Sequence, residues 1–344
     1  MTLAKDQLSQ ENDVDIVLLT EIQDVSTHVP AACNVVRFRK SRLKSTLRPL
    51  IKYIKQEKPD VIVASMWPIT VLAILANVLA GNKSRVVVSD HNPLSIQYAK
   101  WGYLHKVILH ASIWLTYRFA SARVGVSQGV ANDVAKIAGL KPSKFEVIYN
   151  PMSLPKKTSN GKALAQKAWG GWDGKRILTA GRFKTQKNHK LLIAAFKKML
   201  HTQEAKLMLL GTGELLAETE AFIKSEGMEE HVILAGQVQS PAEFYESADL
   251  FVLSSNYEGF GNVIVEAMSL GCPIVSTDCP GGPAEILADG EYGKLVPVND
   301  FDALAKAMAQ ALTEPTDKRK LQQRASEISG KKSLQQYADI FERK

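Results

Sequence analysis

The sequence predicts an α/β chain built as two doubly wound, parallel-sheet domains. Three observations carry this. Short apolar, β-branched runs alternate with longer segments of helical periodicity, the pattern of parallel sheets covered on both faces. The alternation breaks once, in a stretch from Asn150 to Asp173 that carries Pro151, Pro155, Ser, Gly and Lys, and then restarts. And 344 residues are enough for two separate cores.

In chain order, strands are expected at Asp15–Leu19, Asn34–Phe38, Val61–Ser65, Arg85–Ser89, Val124–Ser127 and Val147–Tyr149. Between them fall a basic helix ended by Pro59-Asp60, a helix from Ile69 to Leu79, a helical stretch from Trp101 to Phe119 and a helix over Val130–Ala138. The longest apolar run, Met66–Ala80, is shorter than the roughly 20 residues of a membrane span and reads as a buried helix. After the break, strands are expected at Ile177–Ala180, Leu207–Leu210, Val232–Leu234, Leu250–Leu253, Ile274–Ser276 and Gly293–Val296. Helices are expected at Lys190–Leu200, Leu215–Ser225, Ala242–Ser247, Val263–Leu270 and Phe301–Leu312, followed by a charged helical tail. The implied domains are 1–152 and 153–330, with the tail 331–344 placed to pack back on the first.

Composition narrows the class. The apolar fraction of 45% and charged fraction of 23% are those of a soluble globular chain. Cys33, Cys272 and Cys279 are odd in number and lack metal-ligand spacing, which suits a reducing cytoplasm rather than a disulfide framework. Met1–Asp15 is polar, unlike a secretory signal. Charge is lopsided: residues 1–150 carry 19 Lys and Arg against 11 Asp and Glu. Arg37–Lys58 holds nine basic residues and one acid, Glu57, around an apolar stripe of Leu47, Leu50, Ile51 and Ile54. Such a helix can lie on an anionic membrane surface or pack its stripe in a core and solvate its cations. No nucleic-acid module or aromatic-interleaved basic stretch is visible, so no nucleic-acid partner is expected.

The chemistry concentrates in Ser254–Met268. Gly259 and Gly261 permit a close backbone approach to a ligand. From Asn262, residues Val263, Ile264, Ala267, Met268 and Leu270 follow helical spacing up to Gly271. The amides around Gly261–Val263, at the positive end of that helix, make a seat for an anionic phosphate. Glu258 sits in the turn, and Glu266 about two helical turns further on, on the same side, so two carboxylates can grip a polyol. The alternative is a dipole-favoured glutamate in the first turn and a solvated one in mid-helix.

Three other stretches add to this. Gly181-Arg182-Phe183-Lys184-Thr185-Gln186-Lys187 follows a strand directly, and a glycine turn with two cations, Arg182 and Lys187, suits a diphosphate; a basic surface loop is the alternative. Gly211-Thr212-Gly213-Glu214 is either a tight strand-to-helix turn and nothing more or, by its place in the ordered set, a turn on the nucleotide side. His91, in Ser89-Asp90-His91-Asn92 at a strand end, either faces a ligand or caps its loop by a hydrogen bond. His28, His105, His110, His189, His201 and His231 read as structural or exposed. Asp13-Val14-Asp15 and Asp300-Phe301-Asp302 are Asp-x-Asp strings, but neither follows a strand as a metal-bound diphosphate would require. Asp300 reads as a helix N-cap, and no metal is expected.

Strand, Glu-Gly-Phe-Gly turn, then helix with a second glutamate eight residues on resembles the Glu-x7-Glu signature of retaining glycosyltransferases of the GT-B fold. The chain is similar to glycosyltransferase family 4 over nearly its whole length. The resemblance implies two Rossmann-like domains facing across a cleft, the first on the acceptor side and the second binding a nucleotide sugar, a UDP-hexose or UDP-N-acetylhexosamine. It implies that Arg182 and Lys187 neutralise the departing diphosphate, Glu266 holds the ribose, Glu258 the donor sugar, and His91 the donor or acceptor. Gly181, Gly211, Gly213, Gly259, Phe260, Gly261 and Asn262 would line the donor site, near Cys279–Ile286. No cofactor is implied, and the acceptor would be a lipid-linked glycan or lipopolysaccharide core at the inner membrane face. With no obvious nucleophile, front-face substitution assisted by the leaving group follows from the family.

The start departs from that pattern. Family members open with a strand and a glycine-rich loop, whereas Met1–Leu8 already reads as the first helix. The absent strand would lie mid-sheet and leave unpaired backbone on two neighbours. The expectation is a start truncated relative to the working protein, or a catalytically weak form. A second reading is therefore a catalytically silent GT-B protein that binds a sugar nucleotide or a partner enzyme. A third is a sugar phosphorylase of the same fold.

Overall fold

The computed structural model describes residues 1–20, 29–238 and 240–343, so His28 lies outside the described residues. The chain divides into two compact units, one of residues 1–126, 130–153 and Gly330 onward, the other of residues 127–129 and 154–329. Among the described residues no helix is long and apolar enough to cross a membrane. Cys33, Cys272 and Cys279 are buried free thiols.

The first unit holds β1 (Asp15–Thr20), β2 (Asn34–Lys40), β3 (Val61–Ser65), β4 (Arg85–Asp90), β5 (Ala122–Gly125) and β6 (Glu146–Val147). All pairings are parallel, but they form two sheets, β1-β2 and β3-β4-β5-β6. Among the described residues β1 and β2 pair only with each other, and β3 and β6 are the edges of the second sheet. The helix Leu47–Glu57 buries Leu50 and Ile54, with Phe38 of β2 and Ile62 of β3 packed in the same cluster. Its apolar stripe is therefore core, with Arg48, Lys52 and Lys55 left in solvent, which decides between the two readings of that helix. The last helix, Lys331–Glu342, places Tyr337 and Ile340 in a core with Val87, Ala122, Val124 and Ile148. Arg85 closes its end by donating to the carbonyls of Ile340 and Phe341 at 2.7 and 3.0 Å.

Two expectations need correction. The run Met66–Ala80 is not a buried helix throughout. Its helix, Ile69–Ala80, buries Val71, Ala73, Ile74 and Ala76, while Leu75, Val78 and Leu79 stand exposed. Apolar residues surround this helix on every side, and only one side meets the sheet. The stretch from Asn150 to Asp173 is not simply a linker either. It contains the helix Gly161–Ala168, packed on the helix Ala242–Ser247 and followed by the fully buried Trp169, whose Nε1 donates to Ser247 Oγ at 3.1 Å. Glu243, from that partner helix, accepts from the hydroxyl of Thr158 at 3.0 Å and ties the segment down further.

The second unit is one sheet of β7 (Lys175–Ala180), β8 (Ala205–Leu210), β9 (Val232–Gly236), β10 (Leu250–Leu253), β11 (Ile274–Thr277) and β12 (Lys294–Val296). The order is β12-β11-β10-β7-β8-β9, parallel throughout. Leu192, Ile193 and Phe196 from the helix His189–Met199 and Leu304 and Met308 from the helix Phe301–Ala311 join Ile177, Leu207, Leu209 and Val252 of the strands in one core. Asp300 caps the second of these helices, accepting from the Ala303 amide at 2.8 Å. Chain order reverses between β7 and β10, and in open parallel sheets ligand sites lie beyond the strand carboxyl ends at such a switch point.

Candidate active site

The two loops leaving that switch point are laced together. After β7, the loop from Gly181 to Asn188 runs beside the loop from Ser254 to Gly261 that leaves β10. Ser254 Oγ donates to the Lys187 carbonyl at 2.8 Å, the Asn256 amide to the Gln186 carbonyl at 2.7 Å, and Asn256 Nδ2 to the Thr185 carbonyl at 2.8 Å. Asn188, in the left-handed region at φ +48°, donates to Asn256 Oδ1 at 3.0 Å. Gln186 Nε2 donates to the Tyr257 carbonyl at 2.9 Å. A rigid frame of this kind holds side chains to a fixed geometry.

At its centre Lys187 Nζ lies 2.6 Å from Glu258 Oε1, and both side chains are largely enclosed, at 15% and 8% exposure. Ser255 Oγ donates to the same carboxylate oxygen at 2.6 Å. Glu266 sits on the helix Asn262–Ser269 and accepts from the buried Tyr245 hydroxyl at 2.8 Å. Burial raises the Glu266 carboxyl above its usual range, while the Tyr245 bond and the charge of Lys187 pull it down. Lys187 therefore acts electrostatically on both glutamates, and the Glu-x7-Glu pair is organised around one cation.

The backbone beneath is unusually close-packed. Gly211, at φ +133°, approaches the turn after β7 so closely that a Cβ there would fall 2.1 Å from the Gly181 carbonyl oxygen. A Cβ on Gly213 would meet the Phe183 amide nitrogen at 2.6 Å, and one on Gly181 would meet the Lys187 side chain at 2.9 Å. Gly281, at φ +127°, lies against the Glu258 carbonyl, where a Cβ would come within 1.9 Å of the oxygen. The Glu258 amide donates to the Pro280 carbonyl at 2.9 Å. Cys279–Ile286 is thus the brace under the Glu258-Gly259-Phe260-Gly261 turn.

Gly181, Lys187, Gly211, Gly213, Glu258, Glu266 and Gly261 are therefore brought to one end of one sheet, with Gly259 and Asn262 in the same turn and helix start. Phe260 is there too, but the residue is only 2% exposed, so its ring belongs to the core beneath the turn. Arg182 is exposed, with no hydrogen-bond or ion-pair partner among the described residues. His91 belongs to the first unit, at the end of β4, half-buried, with Nε2 3.2 Å from Ser89 Oγ. Burial lowers its pKa. Asp15 accepts from Asn34 at 3.1 Å and from the Tyr53 hydroxyl, so neither Asp-x-Asp string stands apart from the fold's own bonding. His189 is buried against Phe183, their ring centroids 4.4 Å apart. Sequence reasoning missed Ser255, Gln186 and Tyr245. The first two lie within the motifs already singled out; Tyr245 carries no such signal, because it reaches Glu266 from another helix.

Comparison with known proteins places both halves. Residues 1–154 match the family model described as Glycosyltransferase Family 4, and residues 169–328 the one described as Glycosyl transferases group 1. The chain is 31% identical over 243 residues to the N-acetylgalactosamine-N,N'-diacetylbacillosaminyl-diphospho-undecaprenol 4-alpha-N-acetylgalactosaminyltransferase of Campylobacter jejuni, covering 71% of this chain and 64% of that protein. It is 29% identical over 254 residues to the amylovoran biosynthesis glycosyltransferase of Erwinia amylovora, covering 70% of this chain and 65% of the relative. The match thus spans just under two thirds of each relative's length. Among solved structures, Anabaena HepE in complex with UDP and glucose superposes with a TM-score of 0.84 at 22% identity, over 98% of this chain and 94% of that one. The apo lipopolysaccharide outer core galactosyltransferase WaaB superposes with a TM-score of 0.69 at 18% identity, over 90% and 84%. These two likenesses establish the GT-B fold.

Proposed function

We propose, from the premise that this chain belongs to the family 4-like glycosyltransferases, that it is a retaining enzyme moving a hexose or N-acetylhexosamine from a UDP-sugar to a lipid-linked glycan or lipopolysaccharide-type acceptor. The observation that carries this is the enclosed Lys187–Glu258 pair at the switch point, 2.6 Å apart. A lysine ammonium has three donors, and Glu258 takes one. The others are the proposed partners of the diphosphate oxygens as negative charge builds on the leaving group, with Arg182 the second cation. Glu258, steadied by Ser255, accepts from a donor-sugar hydroxyl. Glu266 gives one oxygen to Tyr245 and the other to the ribose. His91 contacts the donor or orients the acceptor. No side chain serves as nucleophile, so the acceptor enters on the face the diphosphate leaves.

The UDP and glucose in the HepE complex support the donor, and the diphospho-undecaprenol in the Campylobacter relative's name supports a lipid-linked acceptor. Residues 1–152 with 331–344 would serve the acceptor and 153–330 the donor. The anionic inner face of a membrane would be the partner of the basic N-terminal half. Turnover of Lys187→Ala tests the proposal. It should fall by about 100- to 1,000-fold, the loss typical of removing one preorganised charge-stabilising group. Near-normal turnover would refute the diphosphate role.

A further inference from the structure

We infer that the helix Tyr103–Thr116 is the element by which the first unit docks onto an anionic lipid bilayer. This deepens the membrane part of the proposal above and is independent of its nucleotide part. The helix is apolar on two opposite faces. Leu109 and Ile113 are buried in the unit, together with Tyr117 just beyond. Leu104, Val107, Ile108 and Leu115 fall within about 100° of one another at 100° per residue, on the side away from that core. They are 67%, 43%, 49% and 54% exposed, and Phe119 extends the face. A monomeric fold does not need a second apolar face on a surface helix.

The chemistry of the surface decides its occupant. From Met66 to Phe119 the sole acidic residue is Asp90, and it is buried, whereas Lys83, Lys100, Lys106 and Arg118 are exposed. The exposed polar side chains from Trp101 to Phe119 are cations, the imidazoles of His105 and His110, and the Tyr103 phenol. A protein partner is recognised through matched donors and acceptors, and acceptors are nearly absent here. A bilayer needs none. Trp101, Tyr103 and Trp114 border the aliphatic face with amphipathic rings of the kind that settle at headgroup level. Arg118 is held at the same border, its guanidinium 4.5 Å above the Trp114 ring. An exposed aliphatic stripe, an aromatic rim, cations and no carboxylate describe an interfacial helix on anionic lipid. The helix Leu47–Glu57 has no apolar face left to insert, so its cations contribute attraction only.

Flotation of the full chain with vesicles tests this, using phosphatidylcholine alone and phosphatidylcholine mixed with phosphatidylglycerol. The chain should float with the mixed vesicles, much less with the neutral ones, and be released as salt is raised. Leu104→Glu with Ile108→Glu should abolish flotation while leaving the thermal transition in place, since both side chains are already in solvent. Lys100→Ser and Lys106→Ser should each weaken partitioning about fivefold, and Lys52→Ser less. Absence of flotation with anionic vesicles at low salt would overturn the inference, as would flotation that survives the double glutamate variant. So would a concentration-dependent dimer, lost in that variant, in place of vesicle binding; the face would then belong to a second copy. No sugar nucleotide enters this assay, so its failure leaves the transferase proposal untouched.

Discussion

Asp90 is fully enclosed, and its two carboxylate oxygens lie 3.1 and 3.0 Å from the Tyr117 hydroxyl, which also approaches Thr70 Oγ1 at 2.9 Å. Burial pushes its pKa up to about 7, the Tyr117 bond pulls it down, and the charge of Asp133 adds a smaller upward push. The ordinary value in an unfolded chain is 3.8. Between these values the folded protein holds a proton that the unfolded chain has released, so folding stability falls as pH rises through that window. Asp90→Asn removes the group while keeping the shape. Urea unfolding from pH 4 to pH 8 should show the wild type losing stability relative to this variant up to about pH 7, then a constant difference; parallel profiles would mean the proton is not there. Legibility at this scale followed the motifs. Glu258 and Lys187 could be picked out because each sits in a glycine-bearing turn after a strand. The direct ion pair between them could not, since it depends on β7 and β10 being neighbours in a sheet where they are not neighbours in sequence.

Elements were legible wherever one period dominated. Val61–Ser65, Leu250–Leu253 and Ala242–Ser247 have the bounds their sequences suggest: Asp60 and Asp249 precede the two apolar runs, a serine closes each, and Pro241 precedes the helix. The helix Gly161–Ala168 was not legible. It is only eight residues long, it follows Pro151 and Pro155, and it is held by Trp169 reaching Ser247 far along the chain. The double-faced helices Ile69–Ala80 and Tyr103–Thr116 defeat pattern reading in another way, since periodicity cannot tell which of two apolar faces meets the sheet. The glycine turns make a sharper prediction. Gly281→Ala would force a methyl to within 1.9 Å of the Glu258 carbonyl oxygen, whereas Gly170, at φ +63°, has open space around it. Gly170→Ala should cost about 1 kcal/mol from backbone strain alone. Gly281→Ala should cost well over 2 kcal/mol, because backbone must move as well. Urea midpoints compare the two directly, and equal losses would mean that the brace under the Glu258 turn can yield.

For the whole molecule, the two-unit α/β architecture was legible from alternation and its interruption between Asn150 and Asp173. The return of the helix Lys331–Glu342 to the first unit rests on Tyr337 and Ile340 finding a core shared with Val87 and Val124, a long-range match with no local signature beyond a charged amphipathic tail. The central claim is that the second unit's switch point, organised around Lys187, Glu258 and Glu266, is a nucleotide-sugar site. Thermal unfolding of the full chain with UDP, GDP, ADP and their sugar conjugates tests it most directly. A ligand at about 100 times its dissociation constant adds roughly 2.7 kcal/mol to the folded state. The account predicts a clear upward shift with UDP and UDP-sugars, little with the other bases, and its loss in Lys187→Ala. A cooperative transition that no nucleotide moves would contradict it.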